Sequence, residues 1–261
     1  MKRITLFTAA LVLAVSLLSA QESSPEAARL VREARNLVKA GTTSTRSRMV
    51  ITAKDGSTSE RIIDQYSKDG PHGSRMIIVF QRPANVAGTR FLTMDNASGG
   101  EDRWIFLPSL GKVRRVAASE GGGNFMGTDF SYDDISSGDR DIDKDAHTFQ
   151  PEETLNGTPC YVVQSVPKDP GYQYSKTLTW IDKARSLVYK SEMYNRRNEL
   201  VKVMEISGYQ DVQGRPTPME TKVSTLGSGT STTIYMDIVK YDDPIPEGVF
   251  STAYLETGRL R

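Results

Sequence analysis

The chain has 261 residues, and its 33 basic residues almost balance 32 acidic ones, which leaves a net charge of +1. A nearly neutral chain has no general attraction for nucleic acid, so we expect no nucleic-acid partner. Its single cysteine, Cys160, excludes an internal disulfide and makes the fold depend on packing. The length fits one large β domain with a sizeable core.

The first residues have the pattern of a secretory signal peptide. A basic start, Met1-Lys2-Arg3, precedes an apolar stretch at 4–18, and Ala20 is a small residue suited to cleavage. The apolar stretch is short for a transmembrane helix, which needs about 20 residues; an uncleaved anchor is the alternative. We therefore predict a signal peptide at 1–20, cleaved after Ala20, and a single exported domain at 21–261.

Residues 24–40 predict an amphipathic helix. Ser24 suits the N-cap, Pro25 the first helical position, and Gly41 the end. Apolar residues then recur at helical spacing and form one stripe: Leu30, Val31, Ala34, Leu37 and Val38. Because the opposite side is charged, we expect this helix to lie with its stripe on an apolar surface.

From residue 43 onward, the sequence predicts short strands separated by turns. Candidate strands before residue 117 are 45–53, 57–66, 74–81, 89–94, 103–107 and 112–116. Those after residue 145 are 160–166, 175–182, 187–194, 200–209, 220–224 and 232–241. Regular spacing with turns between the strands predicts one antiparallel meander, rolled into a barrel or half-barrel.

A long segment at 117–145 interrupts the strands. Loops of this length in a compact domain are usually functional or disordered, and the apolar residues within it argue against disorder. We predict that the segment packs over an opening. The glycines at 121–123 lack the pattern of a phosphate-binding loop, and we interpret them as a hinge that lets residues 125–132 move as a lid.

Few residues are candidates for catalysis or metal binding. The two histidines, His72 and His147, are expected in polar surface loops. Cys160 begins a strand without a nucleophile signature, so we expect a buried structural thiol. The sequence shows no base–nucleophile pair and no metal-ligand set, and we predict no enzyme, no catalytic residue, no metal and no cofactor.

The apolar residues of the strands carry most of the information about a ligand. Several strands are apolar on both faces, which predicts a sheet that is covered on both sides or wrapped around a cavity. An ordinary filled core is the default interpretation of this pattern taken alone. We predict that a hydrophobic cargo cavity and its lid are formed by Met76, Ile78, Phe80, Phe91, Trp104, Phe106, Phe125, Met126, Phe130, Tyr132, Trp180 and Met236.

A basic patch, which we call the basic rim, consists of Lys112, Arg114 and Arg115. These charges can protect a strand edge from pairing with another chain. They can equally contact a lipid headgroup or an acidic partner, and both interpretations stay open.

Two stretches resemble a known family. Residues 104–115 (WIFLPSLGKVRR) and 126–134 (MGTDFSYDD) resemble the outer-membrane lipoprotein-sorting protein family, the broader LolA-like group within the LolA, LolB and RseB superfamily. Shorter similar pieces lie at 83–89, 180–182 and 241–250. The resemblance implies a mainly β fold with flanking helices, in which a curved antiparallel sheet forms a half-open β-barrel plugged by α-helices.

The resemblance also implies a function. It suggests a non-catalytic periplasmic carrier or binding protein for lipoproteins or other acyl-chain cargo, moving it between the inner and outer membranes. The partners would be acyl chains or lipid, an inner-membrane transporter and an outer-membrane acceptor, and the chain would act as a monomer. The arginine that controls cargo release in LolA has no matching position here. An RseB-like sensor or scaffold that regulates a membrane protein or transporter is the alternative.

Overall fold

The computed structural model describes residues 23–70, 73–96, 100–136 and 141–260. The predicted signal peptide, its cleavage site and His72 lie outside these residues. Within the described ranges, no helix has both the length and the apolar character needed to span a membrane.

The described chain is built mainly from antiparallel strands. Its helices are α1 (Pro25–Asn36), α2 (Tyr132–Ser136) and α3 (Thr252–Thr257). Its strands before residue 117 are β1 (Thr42–Thr52), β2 (Thr58–Gly70), β3 (Gly73–Arg82), β4 (Arg90–Asp95), β5 (Glu101–Leu107) and β6 (Lys112–Val116). Those after it are β7 (Asp145–Leu155), β8 (Thr158–Pro167), β9 (Lys176–Asp182), β10 (Val188–Tyr194), β11 (Leu200–Ser207), β12 (Gln210–Val212), β13 (Arg215–Thr217), β14 (Glu220–Thr225) and β15 (Thr230–Tyr241).

Thirteen of the described strands form one sheet, and β12 pairs with β13 separately. The strand order of the sheet is β6-β5-β4-β3-β2-β1-β15-β14-β11-β10-β9-β8-β7. The last strand, β15, therefore pairs with the first, β1, and this pairing joins two antiparallel halves of the sheet. Strands β6 and β7 are the two edges and do not pair with each other. The predicted fold is confirmed: a curved antiparallel sheet that stays open, with few helices, as in a half-open barrel.

Each strand presents alternate side chains to the two faces of the sheet. We call one face the inner face: it carries α1 and the described residues of the connection between β6 and β7, 117–136 and 141–144. The other, outer face of β3 to β6 is covered by the C-terminal residues 245–255. Register assigns each strand residue to a face: Phe80 pairs with Ile63, which pairs with Ser47, and all three face inward.

Helix α1 begins as its sequence predicts and ends earlier. The Ser24 hydroxyl accepts a hydrogen bond from the Ala27 backbone N–H at 3.3 Å, and Pro25 follows at the first helical position. The helix ends at Asn36 instead of Ala40, because the chain must turn there to enter β1. Its apolar stripe packs on the inner face of β8 and β9, through Ala27, Leu30, Val31, Val163 and Ile181.

Candidate functional site: a cavity beneath helix α1

A cavity of about 380 Å³ lies between α1 and the inner face of β8 to β11. Helix α1 lines it with Val31, Ala34 and Arg35. The walls are mainly apolar, and this volume falls within the range of small-molecule sites. The sheet contributes Ser165, Thr177, Thr179, Ile181, Val188, Ser191, Met193, Met204 and Ile206.

Small side chains on β9 and β10 account for the empty space. Thr177, Thr179 and Ser191 face α1 from the sheet, where larger residues would fill the gap. The hydroxyls of Thr179 and Ser191 lie 3.3 Å apart and satisfy each other, which lowers the cost of exposing them to an apolar ligand. Met193 and Met204 add flexible apolar wall that adapts to ligand shape.

A buried ion pair closes one end of the cavity. Asp134, from α2, accepts hydrogen bonds from the Lys202 ammonium at 2.9 Å and from the Tyr174 hydroxyl at 2.8 Å. The side chains of Asp134 and Lys202 are 5% and 11% exposed. Burial, with the Asp134 carboxylate beside it, raises the pKa of Tyr174 well above its ordinary value, so this hydroxyl stays protonated. The network therefore presents a fixed, neutralised polar end.

Tyr209 provides a second polar group on the cavity wall. Its hydroxyl donates a hydrogen bond to the Val188 carbonyl at 2.7 Å. Burial raises the pKa of Tyr209, which keeps it neutral. The hydroxyls of Tyr174 and Tyr209 are thus both uncharged where they line the cavity.

A second, more polar space lies on the other flank of α1. This groove has a volume of about 740 Å³ and shares Arg35, Val38 and Pro218 with the cavity. Its floor is the inner face of β1, β2 and β15, lined by Thr43, Thr45, Gln65, Ser67, Met236, Val239 and Tyr241. We call it the polar groove; α1 separates it from the apolar cavity.

Most of the predicted cargo residues form a filled core elsewhere on the inner face. They pack in one cluster, which includes Met76, Ile78, Phe80, Phe91 and Phe125, with Met126 and Tyr132 against it. The Phe91 and Phe125 rings are 5.1 Å apart, and Tyr132 lies 5.5 Å from each. Phe130 is buried in the same connection. We call residues 125–132 the plug, because they occupy the space that the sequence assigned to cargo.

Three predicted cargo residues lie on the opposite face. Trp104 and Phe106 pack on the outer side of β5 against the C-terminal segment. Trp180 packs outward with Val162 and Cys160, and its indole N–H donates to Glu153 at 2.9 Å. On β5 and β9, the odd-numbered residues face inward and the even-numbered ones face outward. The prediction that Trp104, Phe106 and Trp180 line an inner cavity is therefore corrected.

The apolar cavity has none of the predicted cargo residues among its described lining, and only Met236 borders the polar groove. The sequence does contain a signal for the cavity. Small residues alternate with large apolar ones at 177–180, and Ser191 pairs with Thr179 on the next strand, opposite an amphipathic helix. That pattern marks a face that cannot be filled by its own side chains.

Polar contacts tie the connection to the sheet on both sides. Asp129 accepts hydrogen bonds from the Thr232 hydroxyl at 2.7 Å and from the Thr230 hydroxyl at 2.5 Å. Asp133 accepts from Arg103 at 2.6 Å. Gly121 packs closely against Asp133, since a Cβ there would lie 2.3 Å from Oδ1 of that residue. These contacts fasten the connection near Gly121, and the hinge role of the glycines at 121–123 stays a prediction.

The basic rim is divided between the two faces. Lys112 and Arg114 share the face of Val116, which joins the inner core, whereas Arg115 shares the outer face with Val113. Arg114 pairs with Glu120 at 2.6 Å, and Arg115 pairs with Asp102. The three residues therefore do not present one continuous cationic surface.

The structure corrects the placement of His147 and confirms that of Cys160. His147 lies on β7 and is 1% exposed, with its ring nitrogens 2.9 Å from the Ser165 hydroxyl and 3.0 Å from the Ile142 carbonyl. It was predicted in a surface loop because β7 was not recognised. Cys160 is fully buried, and burial raises its pKa. No cluster that could hold a metal occurs in the described part of the chain.

Comparisons with known proteins agree with this architecture. The structure is similar to an outer membrane lipoprotein-sorting protein domain from Vibrio parahaemolyticus, with 25% identity, a TM-score of 0.82, and coverage of 88% of this chain and 98% of that one. It is similar to a DUF1329 family protein from Desulfovibrio piger, with 28% identity, a TM-score of 0.84, and coverage of 90% and 99%.

A LolA superfamily protein from Nitrosomonas europaea shares the fold at 20% identity, with a TM-score of 0.72 and coverage of 87% and 98%. No curated protein matches the sequence. Residues 72–257 match the model of a family described as an uncharacterized protein, and this match covers more than half of the chain. The chain therefore belongs to that family, and its fold is that of the outer-membrane lipoprotein-sorting, LolA-like proteins.

Proposed function

We propose that this protein is a non-catalytic periplasmic binding protein that carries lipoproteins or other acyl-chain cargo between the inner and outer membranes. The observation that carries the proposal is the apolar cavity of about 380 Å³ between α1 and strands β8 to β11. The fold it shares with a lipoprotein-sorting domain supports the same class of cargo.

The cavity suits one acyl chain. A water-sized group takes about 30 Å³, so the space accommodates roughly a dozen methylene groups. Each buried methylene contributes about 0.8 kcal/mol, so a chain of that length contributes about 10 kcal/mol. Association costs at least about 4 kcal/mol, which leaves a dissociation constant of roughly tens of micromolar or weaker. Such an affinity is compatible with both capture and release.

Filling the cavity tests the proposal. Ser191 is buried on the inner face of β10 and lines the cavity. In Ser191→Leu, the new side chain displaces roughly three methylene groups, so the affinity for a fluorescent long-chain fatty acid should fall at least about tenfold. Delipidated wild-type protein should bind this probe, and lipid should be found by mass spectrometry in protein purified from the envelope.

The matched control is Ser44→Leu, which places the same change on the outer face of β1, away from the cavity. It should leave the affinity unchanged. Equal binding by both variants, or no binding by the wild type, would refute the carrier function. A stable complex with a membrane protein in the absence of any bound lipid would instead support the RseB-like regulator.

A further inference from the structure

We propose that the apolar cavity takes an acyl-chain cargo whose polar group is small, uncharged and donates a hydrogen bond, such as an alcohol or a primary amide. This inference rests on the proposed function and adds the chemical class of its cargo. The cavity is polar at one end and apolar at the other, and the hydroxyls at its polar end are left with lone pairs to offer a ligand.

The cavity wall changes from polar to apolar along β9. The residues of β9 that line it are, in order, Thr177, Thr179 and Ile181. Thr177 pairs with Ser165, and Ile181 pairs with Val188. The polar residues at the Thr177 end are Asp134, Asp145, Ser165, Tyr172 and Tyr174. The apolar residues at the Ile181 end are Val38, Leu187, Val188, Ile206 and Pro218. A bound cargo therefore lies with its polar group toward Tyr174 and its chain toward Ile181.

Tyr174 accepts a hydrogen bond from a cargo and has none to give. Its hydroxyl donates to the Asp134 carboxylate at 2.8 Å, and burial beside that carboxylate raises the pKa of Tyr174, so the proton stays in this bond. The Asp134 oxygens are acceptors as well, and they are bound by Lys202 at 2.9 Å and by the Ser131 backbone N–H at 2.8 Å. A ligand group beside Tyr174 must therefore bring its own proton.

Ser165 has the same property. Nε2 of His147 lies 3.0 Å from the Ile142 carbonyl, which only accepts, so in the neutral ring this nitrogen carries the proton. The other ring nitrogen, Nδ1, then accepts from the Ser165 hydroxyl at 2.9 Å. The Ser165 oxygen keeps lone pairs but has no proton left for a ligand. Two hydroxyls at the polar end thus accept hydrogen bonds only.

The charges of the lining give no advantage to an anionic head. Asp134 and Asp145 both lie at the polar end. Lys202, which pairs with Asp134, is not among the described residues of the lining. The one cation among those residues, Arg35, borders the polar groove and already interacts within the protein. An ester, an ether or a carboxylate only accepts hydrogen bonds, so it would leave the two hydroxyl oxygens without a partner.

The polar end has room for a small head only. Tyr174 and Asp145 are buried there, and so is the side chain of Asp134. At the other end, Tyr209 spends its proton on the Val188 carbonyl at 2.7 Å. A hydroxyl or a primary amide supplies the missing donor with few atoms, which matches the buried polar end.

The test uses delipidated protein and two matched pairs of probes. Lauryl alcohol and lauramide donate a hydrogen bond, whereas lauryl methyl ether and N,N-dimethyllauramide only accept one. The wild type should bind each donor about tenfold more tightly than its matched acceptor, since one hydrogen bond is gained and an unpaired oxygen is avoided. Laurate, a carboxylate at neutral pH, should bind through its chain and about tenfold more weakly than lauryl alcohol.

Tyr174→Phe removes an accepting oxygen and should reduce the preference for lauryl alcohol over its ether to about threefold or less. Ser165→Ala should reduce the preference in the same direction. Tyr194→Phe is the matched control, because the Tyr194 hydroxyl also donates to a carboxylate, that of Glu192 at 2.8 Å, but does not line the cavity. It should leave the preference unchanged. Thermal unfolding establishes that each variant is folded.

The outcomes separate the two proposals. If all five probes bind the wild type equally, or if laurate binds as tightly as lauryl alcohol, the inference is overturned and the carrier function stands. If the preference survives in both Tyr174→Phe and Ser165→Ala, it does not come from the polar end and the inference is wrong. If no chain-bearing probe binds the wild type, the proposed function fails, and this inference with it.

Discussion

Two regions of the same inner face are packed in opposite ways. Over β2 to β5, the plug fills the face: Phe80, Phe91 and Phe125 are all fully buried, and their rings touch. Over β8 to β11, α1 covers the face and leaves a cavity above Thr179 and Ser191. One curved sheet therefore carries a solid core at one end and a binding space at the other.

The difference comes from side-chain size and from the shape of the covering element. The plug is an irregular segment that can place single aromatic rings into gaps, as Phe125 does against Phe91. Helix α1 is a rigid cylinder whose N-terminal half rests on Val163 and Ile181. One turn on, Ala34 lines the cavity above Thr177, Thr179 and Ser191. A cavity is left where the helix covers a part of the sheet that carries threonine and serine.

The largest expected effect tests whether the plug region is truly filled. Phe125→Ala should lower the free energy of unfolding by about 3–5 kcal/mol, because it removes a fully buried ring from a close-packed cluster. Denaturant unfolding measures this change. Fatty-acid binding by the folded fraction should persist, since Phe125 does not line the cavity.

Phe149→Ala is the control for this comparison. Phe149 also faces inward, on the edge strand β7, but it is 42% exposed. Its removal should cost less than about 1 kcal/mol. If Phe125→Ala were equally mild and abolished lipid binding, the plug would be part of the binding site, and the contrast between the two regions would fail.

A smaller effect is expected where the two regions meet. Lys202→Met should lower the free energy of unfolding by about 3 kcal/mol, because the Asp134 carboxylate is left buried without its cation. The double variant Lys202→Met with Asp134→Asn should recover part of this loss. A double-mutant cycle in denaturant measures the coupling. Additive effects would show that α2 is not held to the sheet by this pair.

Much of the fold could be predicted from the sequence, because it follows from local signals. The α1 cap at Ser24 and the Asp55-Gly56 turn are local, and Gly56 has the positive φ of 84° that such a hairpin needs. Strand β7 was missed. Pro151 interrupts it, the register shifts between Gln150 and Glu153, and an edge strand needs few apolar residues.

The location of the site could not be predicted from the sequence, because it depends on which covering element meets which strands. Phe80 and Trp104 are both large and apolar, yet one faces inward and the other outward. Only the register between strands decides this. The abundance of large apolar residues was also a misleading signal for the cavity, because aromatic side chains fill space. The cavity lies instead beside small residues such as Thr177 and Ser191.

The smallest predicted effect on stability tests whether Gly121, in the connection that leads to the plug, serves packing or acts as a hinge. Gly121 has an ordinary helical conformation, φ −54° and ψ −38°, which alanine adopts without strain. A Cβ at this position would nevertheless lie 2.3 Å from the Asp133 carboxylate, which Arg103 holds at 2.6 Å. Gly121→Ala should therefore lower the free energy of unfolding by about 1–3 kcal/mol through displacement of Asp133.

Gly122→Ala provides the matched control, because its Cβ would meet Gln173 at an ordinary 3.4 Å. It should be neutral within about 0.5 kcal/mol. Denaturant unfolding and the rate of fatty-acid release should be measured for both variants. If both slowed release equally without loss of stability, the glycines would act as a hinge and the plug as a lid. A loss of stability confined to Gly121→Ala, with release unchanged, identifies this glycine as the point where the connection packs against Asp133.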